Sequence, residues 1–255
     1  MAMLAASCFA AFDGPSDWSA SQGHAATAIC AGPSAFWGNP SGILSVQSWG
    51  VSADWHREWE MDQLSTGRLA GVLASDWGTL AIGGSFTGDS DLFTENIIGI
   101  AYGRQFWKVN CALKTNIGMA KTCNWSANAF MIGVGADYPT GKVVTLGLWA
   151  DNITASKLDG NPLPVRGAVG LAYRPTDWVN IYADYYIEDD YPATMRFGQE
   201  TIIADPVSIR GGVNFRPNSY HLGIGILYRD FELTWSYLAH PELGSSLMFG
   251  MTYER

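Results

Sequence analysis

The stretch IGIAYG (Ile98–Gly103) alternates large apolar residues with glycine or alanine. The same pattern recurs in FMIGVG (Phe130–Gly135), VGLAY (Val169–Tyr173) and LGIGILY (Leu222–Tyr228). Successive side chains of a β-strand point to opposite faces, so each stretch predicts a strand with one large apolar face and one small or polar face.

From Val46 onward the chain consists of short runs of this kind separated by turn signals, and no segment shows a 3.6-residue apolar period. Most runs have the length that a tilted strand needs to cross a bilayer, about 9–11 residues. The sequence therefore predicts an all-β chain. The fourteen predicted strands are Val46–His56, Leu69–Ser75, Thr79–Thr87, Asn96–Gln105, Lys108–Gly118, Ala127–Asp137, Lys142–Ala150, Val165–Arg174, Trp178–Glu188, Thr194–Glu200, Pro206–Arg216, His221–Arg229, Phe231–Leu238 and Ser246–Tyr253.

Composition narrows the class of protein. Only 15% of the 255 residues are charged and 13% are aromatic, which excludes a disordered chain. The 24 acidic residues outnumber the 15 basic ones, which argues against a nucleic-acid partner. No uninterrupted apolar window is long enough for a membrane helix, but this leaves a membrane barrel possible.

The connections between predicted strands alternate between short and long. Short ones include Asp76–Gly78 and Phe106–Trp107, whereas His56–Arg68, Asp151–Pro164 and Ala239–Ser245 are longer. Such alternation is typical of the periplasmic turns and extracellular loops of an up-and-down antiparallel barrel in the outer membrane. The pattern weakens where Thr201–Asp205 is long and Pro217–Tyr220 is short. An even strand count places both termini on the periplasmic side.

The second face of the predicted strands distinguishes a barrel from a soluble sandwich. A sandwich would solvate that face with Lys, Glu and Thr, whereas here it carries mostly Gly, Ala, Ser and Asn with a few charges. We therefore expect the large apolar face to meet lipid and the small face to line a lumen. Six aromatic residues near strand ends are the predicted interfacial girdle: Tyr102, Tyr173, Trp178, Tyr228, Trp235 and Tyr253.

The residues before the barrel divide into two parts. Residues 1–22 are interpreted as the remnant of an export signal and a linker, because Met1–Phe12 reads as part of a secretory apolar region. Residues 23–45 are rich in small residues and carry large apolar ones, which predicts a hatch inside the barrel of residues 46–255. The residues expected to plug the lumen are Phe36, Trp37, Asn39, Pro40, Gly42 and Ile43.

No catalytic, metal or cofactor site is predicted. The four histidines are scattered, and the cysteines lack metal-ligand spacing. Cys111 and Cys123 could bridge neighbouring strands or remain two unpaired small residues. The acidic run Glu188–Asp190 is interpreted as a solvated loop edge rather than a cation site.

The run Ala28–Ile43 resembles the N-terminal signature of the FadL-like outer-membrane superfamily, particularly its PorV/PorQ branch. In that branch a small-residue stretch leads into an aromatic-Asn-Pro-Ala-Gly-aliphatic motif. FWGNPSGI (Phe36–Ile43) matches it, with Ser41 in place of the usual alanine and Gly38 before Asn39.

The C-terminal part is similar to the same branch. VSIRGG (Val207–Gly212) resembles a recurrent strand of the branch, and Gly223–Tyr228, Phe231–Tyr237 and His240–Gly244 resemble its last hairpin and loop. The resemblance implies a fourteen-stranded barrel with an N-terminal hatch. Two departures are that fatty-acid transporters of the superfamily have much longer loops, and that this chain continues past the last aromatic residue to Arg255.

Three functions follow as hypotheses. The first, implied by the resemblance, is a non-enzymatic outer-membrane barrel that serves as a partner or anchor in protein secretion or surface attachment, offering loops such as Asp151–Pro164 and His240–Ser245 to another protein. The second is a passive transporter of a hydrophobic ligand, gated by Phe36–Ile43. The third is a soluble all-β structural or binding protein whose apolar face is buried.

Overall fold

Fourteen strands close into one antiparallel barrel in the computed structural model, which describes residues 17–29, 31–89 and 92–255. Of residues 1–22, predicted as an export remnant and linker, residues 1–16 lie outside the described residues, as does Cys30, whereas residues 17–22 are described. In chain order the strands are β1 (Trp49–Arg57), β2 (Ser65–Ser75), β3 (Gly78–Asp89), β4 (Phe93–Phe106), β5 (Val109–Thr122), β6 (Trp125–Pro139), β7 (Val144–Asp151), β8 (Lys157–Leu158), β9 (Asn161–Pro162), β10 (Arg166–Thr176), β11 (Val179–Glu188), β12 (Thr194–Ala204), β13 (Val207–Phe215), β14 (Ser219–Tyr228), β15 (Phe231–His240) and β16 (Gly244–Glu254).

Each barrel strand pairs with its neighbours in the chain, and β16 closes the barrel on β1 from Gly50 opposite Glu254 to Arg57 opposite Leu247. The two-residue strands β8 and β9 form a separate hairpin, so β7 pairs directly with β10. The predicted all-β fold and strand number are confirmed. Closure pairs every strand on both sides and so removes the exposed edges that an open sheet would leave.

Several strands run further than the sequence predicts. For example, β6 begins at Trp125 and ends at Pro139, whereas the predicted strand covers Ala127–Asp137. Thr201–Ala204, predicted as a connection, belongs to β12. Between β5 and β6 only residues 123–124 remain as a connection at the loop end, so the predicted alternation of short and long connections is not strict. Backbone pairing does not need apolar side chains, so strands continue into polar sequence where hydrophobic alternation has already ended.

The outer wall is apolar and the inner wall is small or polar. Leu69, Ile98, Ile100 and Leu222 are each more than half exposed on the outside. The inward positions hold mostly small or polar residues, together with charges such as Arg68 that are buried. Exposed apolar side chains around a whole barrel are expected where lipid rather than water is the solvent.

Among the described residues, helical structure is confined to short elements. An α-helix covers Asp17–Ala20, and 3₁₀ helices cover Pro33–Trp37, Pro40–Ser45, Glu58–Glu60 and Asp62–Leu64. Within residues 17–29, 31–89 and 92–255, no helix is long and apolar enough to cross a membrane.

The hypothesis of a Cys111–Cys123 bridge is wrong. Cys111 lies in β5 and Cys123 directly follows the same strand, so they occupy its opposite ends. Their separation along the strand is roughly 40 Å at about 3.3 Å per residue, whereas a disulfide needs Cα atoms within about 7 Å.

Candidate functional site: the hatch and the lumenal cavities

Most of the described residues before β1 lie inside the barrel and form the hatch, defined here as residues 17–29 and 31–46. Pro33 and Pro40 each occupy the first position of a 3₁₀ helix, where a missing backbone N–H costs no hydrogen bond. Between these helices the Asn39 side chain accepts hydrogen bonds from the Ser41 backbone N (3.2 Å) and Oγ (2.8 Å). The proline-punctuated sequence thus builds two tight turns rather than a strand.

An apolar contact holds the hatch against β2, β3 and β4. Phe36 and Ile43 have no exposed surface. They pack in a cluster with further hatch residues and with small inward-facing side chains of the three strands. The members of the cluster are Ala35, Phe36, Ile43, Val46, Ala70, Val72, Ala81 and Ala101.

Inward-facing glycines leave room for the hatch where it lies closest to the wall. A Cβ atom at Gly83 would overlap the Phe36 ring, and one at Gly135 would overlap Asn39 and Pro40. The same holds around the barrel for Gly147, Gly170, Gly198, Gly212 and Gly223, which face hatch residues between Ser21 and Ala28. The small face of the strands is therefore the surface on which the hatch sits.

Polar contacts hold the hatch against the opposite wall. Asp184 in β11 accepts hydrogen bonds from the Thr27 backbone N (3.0 Å) and Oγ1 (2.7 Å). The Nδ1 atom of His221 in β14 lies 2.8 Å from the Ala20 carbonyl oxygen, and its ring meets His24 edge-on with the centroids 4.9 Å apart. Burial, and secondarily the nearby His221, lower the pKa of His24 well below its ordinary value, so this imidazole is neutral at pH 7.

The six predicted plug residues all lie in the lumen. Phe36, Asn39, Pro40, Gly42 and Ile43 are buried, and Trp37 is half-buried. The Asn39 amide donates to the Thr27 carbonyl (2.7 Å) and to the Ala136 carbonyl of β6 (3.3 Å), so it ties the hatch both to itself and to the wall.

The hatch separates two lumenal cavities. On the side of the loops, a cavity of about 320 Å³, named the vestibule here, has hatch residues as its floor and Trp59, Pro217 and His240 near the loops. On the side of the turns, a cavity of about 570 Å³ lies beneath Trp18, Ile29 and Ser34. A molecule that passes from one cavity to the other through the lumen must move past the hatch.

A small chamber of about 50 Å³ adjoins the vestibule. It shares Trp37, Gly38 and Trp149 with the vestibule and is otherwise lined largely by ionic and polar side chains. The lining residues that distinguish it are Arg68, Ile97, Lys114, Asn116, Met131, Asp151 and Arg166. Lys114 pairs with Asp151 at 3.8 Å and donates to the Phe36 carbonyl at 3.3 Å, so the chamber also contacts the hatch.

The predicted girdle residues do not share one level. Tyr102, Tyr173, Trp178, Tyr228 and Tyr253 lie toward the end of the barrel that carries the turns. Trp235 lies in the middle of β15, opposite Ile224 and Phe249, and therefore within the apolar band.

Sequence reasoning missed the charged lumenal residues Asp184 and Lys114, which contact the hatch, and Arg196, which lines the vestibule. A usable signal was present, because each is a charged residue in the interior of a predicted strand or run. In a membrane barrel such a residue faces the lumen. Among the described residues, no group of three or more His, Cys, Asp or Glu side chains could hold a metal ion.

Comparison with solved structures identifies the same architecture in outer-membrane channels. The toluene transporter TodX of Pseudomonas putida superimposes with a TM-score of 0.70 at 10% identity, over 95% of this chain and 98% of that one. The fold is that of these channels. The monoaromatic hydrocarbon channel CymD matches with a TM-score of 0.68 at 11% identity, over 95% of this chain and 98% of its own.

These neighbours are FadL-type fourteen-stranded barrels. At such low identity the likeness concerns the fold alone. No protein-family model matches the chain, and no curated protein matches its sequence.

Proposed function

We propose that the protein passively transports hydrophobic small molecules across the outer membrane, with the hatch as its gate and both termini in the periplasm. The observation that carries the proposal is the position of the hatch, which lies across the lumen between the vestibule and the turn-side cavity. The fold shared with hydrocarbon channels supports a transport role. In this proposal the six aromatic residues named above anchor the wall in lipid, with Trp235 serving in the band itself.

The vestibule has the surface expected of a site for partly apolar molecules. Trp37, Trp59, Trp149 and Tyr186 all line it, and its volume lies at the lower end of the range for small-molecule sites. The ligand would be held there above the hatch until the hatch shifts.

Variants that weaken the attachment of the hatch to the barrel wall test this function. Replacing Asn39 with alanine removes its bonds to Thr27 and Ala136 and its cap on the Pro40–Ser45 turn. We expect Asn39→Ala to raise the conductance of the barrel in planar bilayers several-fold, and Trp37→Ala to act in the same direction. Asn161→Ala is the matched control, because Asn161 lies in the β8–β9 hairpin and bonds only weakly, to Asp159.

Transport itself is measured as accumulation of a radiolabelled aromatic solute in cells that express the wild-type chain or none. Unchanged conductance in Asn39→Ala, together with equal accumulation in both cell lines, would contradict the proposal.

A role of the PorV/PorQ kind, as a partner or anchor in secretion or surface attachment, is the second candidate. It is favoured by one exposed large apolar residue in each of five connections at the loop end, namely Met61, Leu92, Ile153, Tyr191 and Leu243. The paired substitution Tyr191→Asp and Leu243→Asp would then abolish export of surface proteins without changing conductance. Normal export in that variant argues against this role.

A further inference from the structure

We propose that the vestibule and the chamber together bind a small aromatic molecule that carries a hydroxyl group, such as a phenol. Its ring lies in the vestibule and its hydroxyl group in the chamber. This inference rests on the proposed transport function and names its substrate class. It comes from the juxtaposition of an aromatic cavity with a small chamber whose lining includes buried polar atoms without partners.

The volumes of the two cavities assign the two parts of the ligand. The vestibule, at about 320 Å³, has room for a single aromatic ring. The chamber, at about 50 Å³, is too small for a ring but exceeds the roughly 10–15 Å³ that one water molecule needs. A ligand that enters both cavities must therefore place its ring in the vestibule and only a small polar group in the chamber.

The aromatic part of the site is formed by side chains from three elements. Trp37 comes from the hatch, Trp149 from β7 and Tyr186 from β11, and the rings of Trp149 and Tyr186 lie 6.1 Å apart, tilted by 43°. Such rings offer a planar ligand offset or edge-to-face contacts, which contribute beyond simple burial of area. Because Trp37 and Trp149 also line the chamber, a ring held against them lies next to it.

Three buried polar atoms in the lining of the chamber have no hydrogen-bond partner among the described residues. They are Trp37 Nε1, Asn116 Oδ1 and Asp151 Oδ1. By contrast, the indole N–H of Trp149 donates to Thr27 Oγ1 at 3.2 Å. Buried polar atoms in folded proteins nearly always have a partner, so three exceptions around one chamber indicate that a further polar group binds there.

Asn116 is the central polar residue of the chamber. It lies in β5 and is only 5% exposed. Its amide lies against Gly99 of β4, where a Cβ atom would overlap Asn116 Oδ1. The last side-chain torsion of asparagine is broad, so rotation of the amide presents either its oxygen or its nitrogen to the chamber. Asn116 can therefore accept a hydrogen bond from a ligand or donate one to it.

A hydroxyl group matches this set of atoms. The indole N–H of Trp37 can only donate, the carboxylate of Asp151 can only accept, and the amide of Asn116 can do either. A hydroxyl group has one donor and two lone pairs, so it offers partners of both kinds. An ether oxygen lacks the donor, and a methyl group would leave all three atoms without a partner.

The charges around the two cavities are balanced, which favours a neutral ligand. Lys114 pairs with Asp151 at 3.8 Å, and Arg68 lies 3.9 Å from Asp54. Four cationic side chains in all lie close to four carboxylates, namely Arg68, Lys114, Arg166 and Arg196 with Asp54, Glu58, Asp151 and Asp184. A charged ligand would add an unpaired charge to a buried site, which is costly.

Three ring-sized probes test the inference on the wild-type chain. Phenol, toluene and anisole, each radiolabelled, are measured by equilibrium dialysis against the full chain in detergent micelles. Because a hydroxyl group lowers partition into apolar surroundings, each dissociation constant is divided by the value for the same probe in protein-free micelles. We expect phenol, on this scale, to bind at least about tenfold more tightly than toluene, which corresponds to one net hydrogen bond. Anisole, which cannot donate, should bind no more tightly than toluene.

Variants locate the effect in the chamber. Asn116→Leu replaces the amide with an apolar side chain of nearly the same shape and should lower the preference for phenol about fivefold. Asn128→Leu makes the same change at an exposed position of β6 outside both cavities and should leave the preference intact. Heat-modifiable gel mobility checks that each variant forms a barrel.

Equal binding of phenol and toluene on this scale would overturn the inference, as would binding of anisole as tight as that of phenol. An unchanged preference in a folded Asn116→Leu barrel would also overturn it. If that variant does not fold, the comparison of phenol with anisole on the wild-type chain decides. These results are separable from the transport proposal, because if Asn39→Ala opens the barrel but phenol is not preferred, only the substrate class is wrong.

Discussion

The two walls of the barrel hold the same hatch by different physical means. On β2–β4 the contact is apolar, with Phe36 and Ile43 packed among alanine and valine side chains. On β11–β14 the hatch backbone itself approaches the wall. Asp184 and His221 hydrogen-bond to that backbone, and Gly212, which has no Cβ, leaves room for it. Apolar packing contributes in proportion to area and is not directional, whereas hydrogen bonds to the backbone fix position. The apolar contact therefore stabilises the hatch in the barrel, and the polar contact fixes the position of the hatch relative to the strands.

The glycine pairs of the two walls make this difference testable. In each pair one glycine faces the hatch and its chain neighbour faces outward, at Gly83 and Gly84 in β3 and at Gly212 and Gly211 in β13. Each inward glycine thus has a control of the same residue type in the same strand.

The largest effect is expected from removing the apolar anchor. Phe36→Ala empties a fully buried site, and truncation of a buried aromatic typically costs about 3–5 kcal/mol. The free energy of unfolding from lipid vesicles, measured in urea by tryptophan fluorescence, should fall by that amount. A fall below 1 kcal/mol would mean that the apolar wall does not anchor the hatch.

The second largest loss of stability is expected for Gly212→Ala. The added Cβ would overlap the backbone of Gln22 and Gly23, which cannot rotate away as a side chain can. Overpacking of this kind costs about 2–3 kcal/mol. Gly211→Ala, whose Cβ would meet only ordinary contacts, should unfold like the wild type in the same titration. Equal losses of stability in Gly212→Ala and Gly211→Ala would show that the contact of the hatch backbone with β13 does not fix the position of the hatch.

Gly83→Ala is expected to have the smallest effect. Its Cβ would meet the ring of Phe36, a side chain that can tilt within its cluster, so we expect a loss of about 1 kcal/mol. Gly84→Ala is the control. The double variant Gly83→Ala with Phe36→Ala should be no less stable than Phe36→Ala alone, since the obstacle is gone. A larger loss of stability in Gly83→Ala than in Gly212→Ala would mean that β2–β4, rather than β11–β14, fix the position of the hatch.

Much of the fold could be predicted because lipid imposes a simple rule on strands. Alternation such as that of Ile98–Gly103 marks an outward and an inward face, and counting these runs gave the strand number that the structure confirms. The ends of the strands could not be predicted, because backbone pairing continues through polar residues such as Thr201.

The sequence by itself determined that this chain forms a fourteen-stranded barrel, since period-two hydrophobicity and short turns are local properties. Only the tertiary structure decided how the lumen is used. Thr27 meets Asp184 across 157 positions of sequence, and Arg196 meets Tyr186 only because β11 and β12 pair in one register. Such contacts depend on barrel closure and strand register, which bring distant small and charged residues to the same level of the lumen.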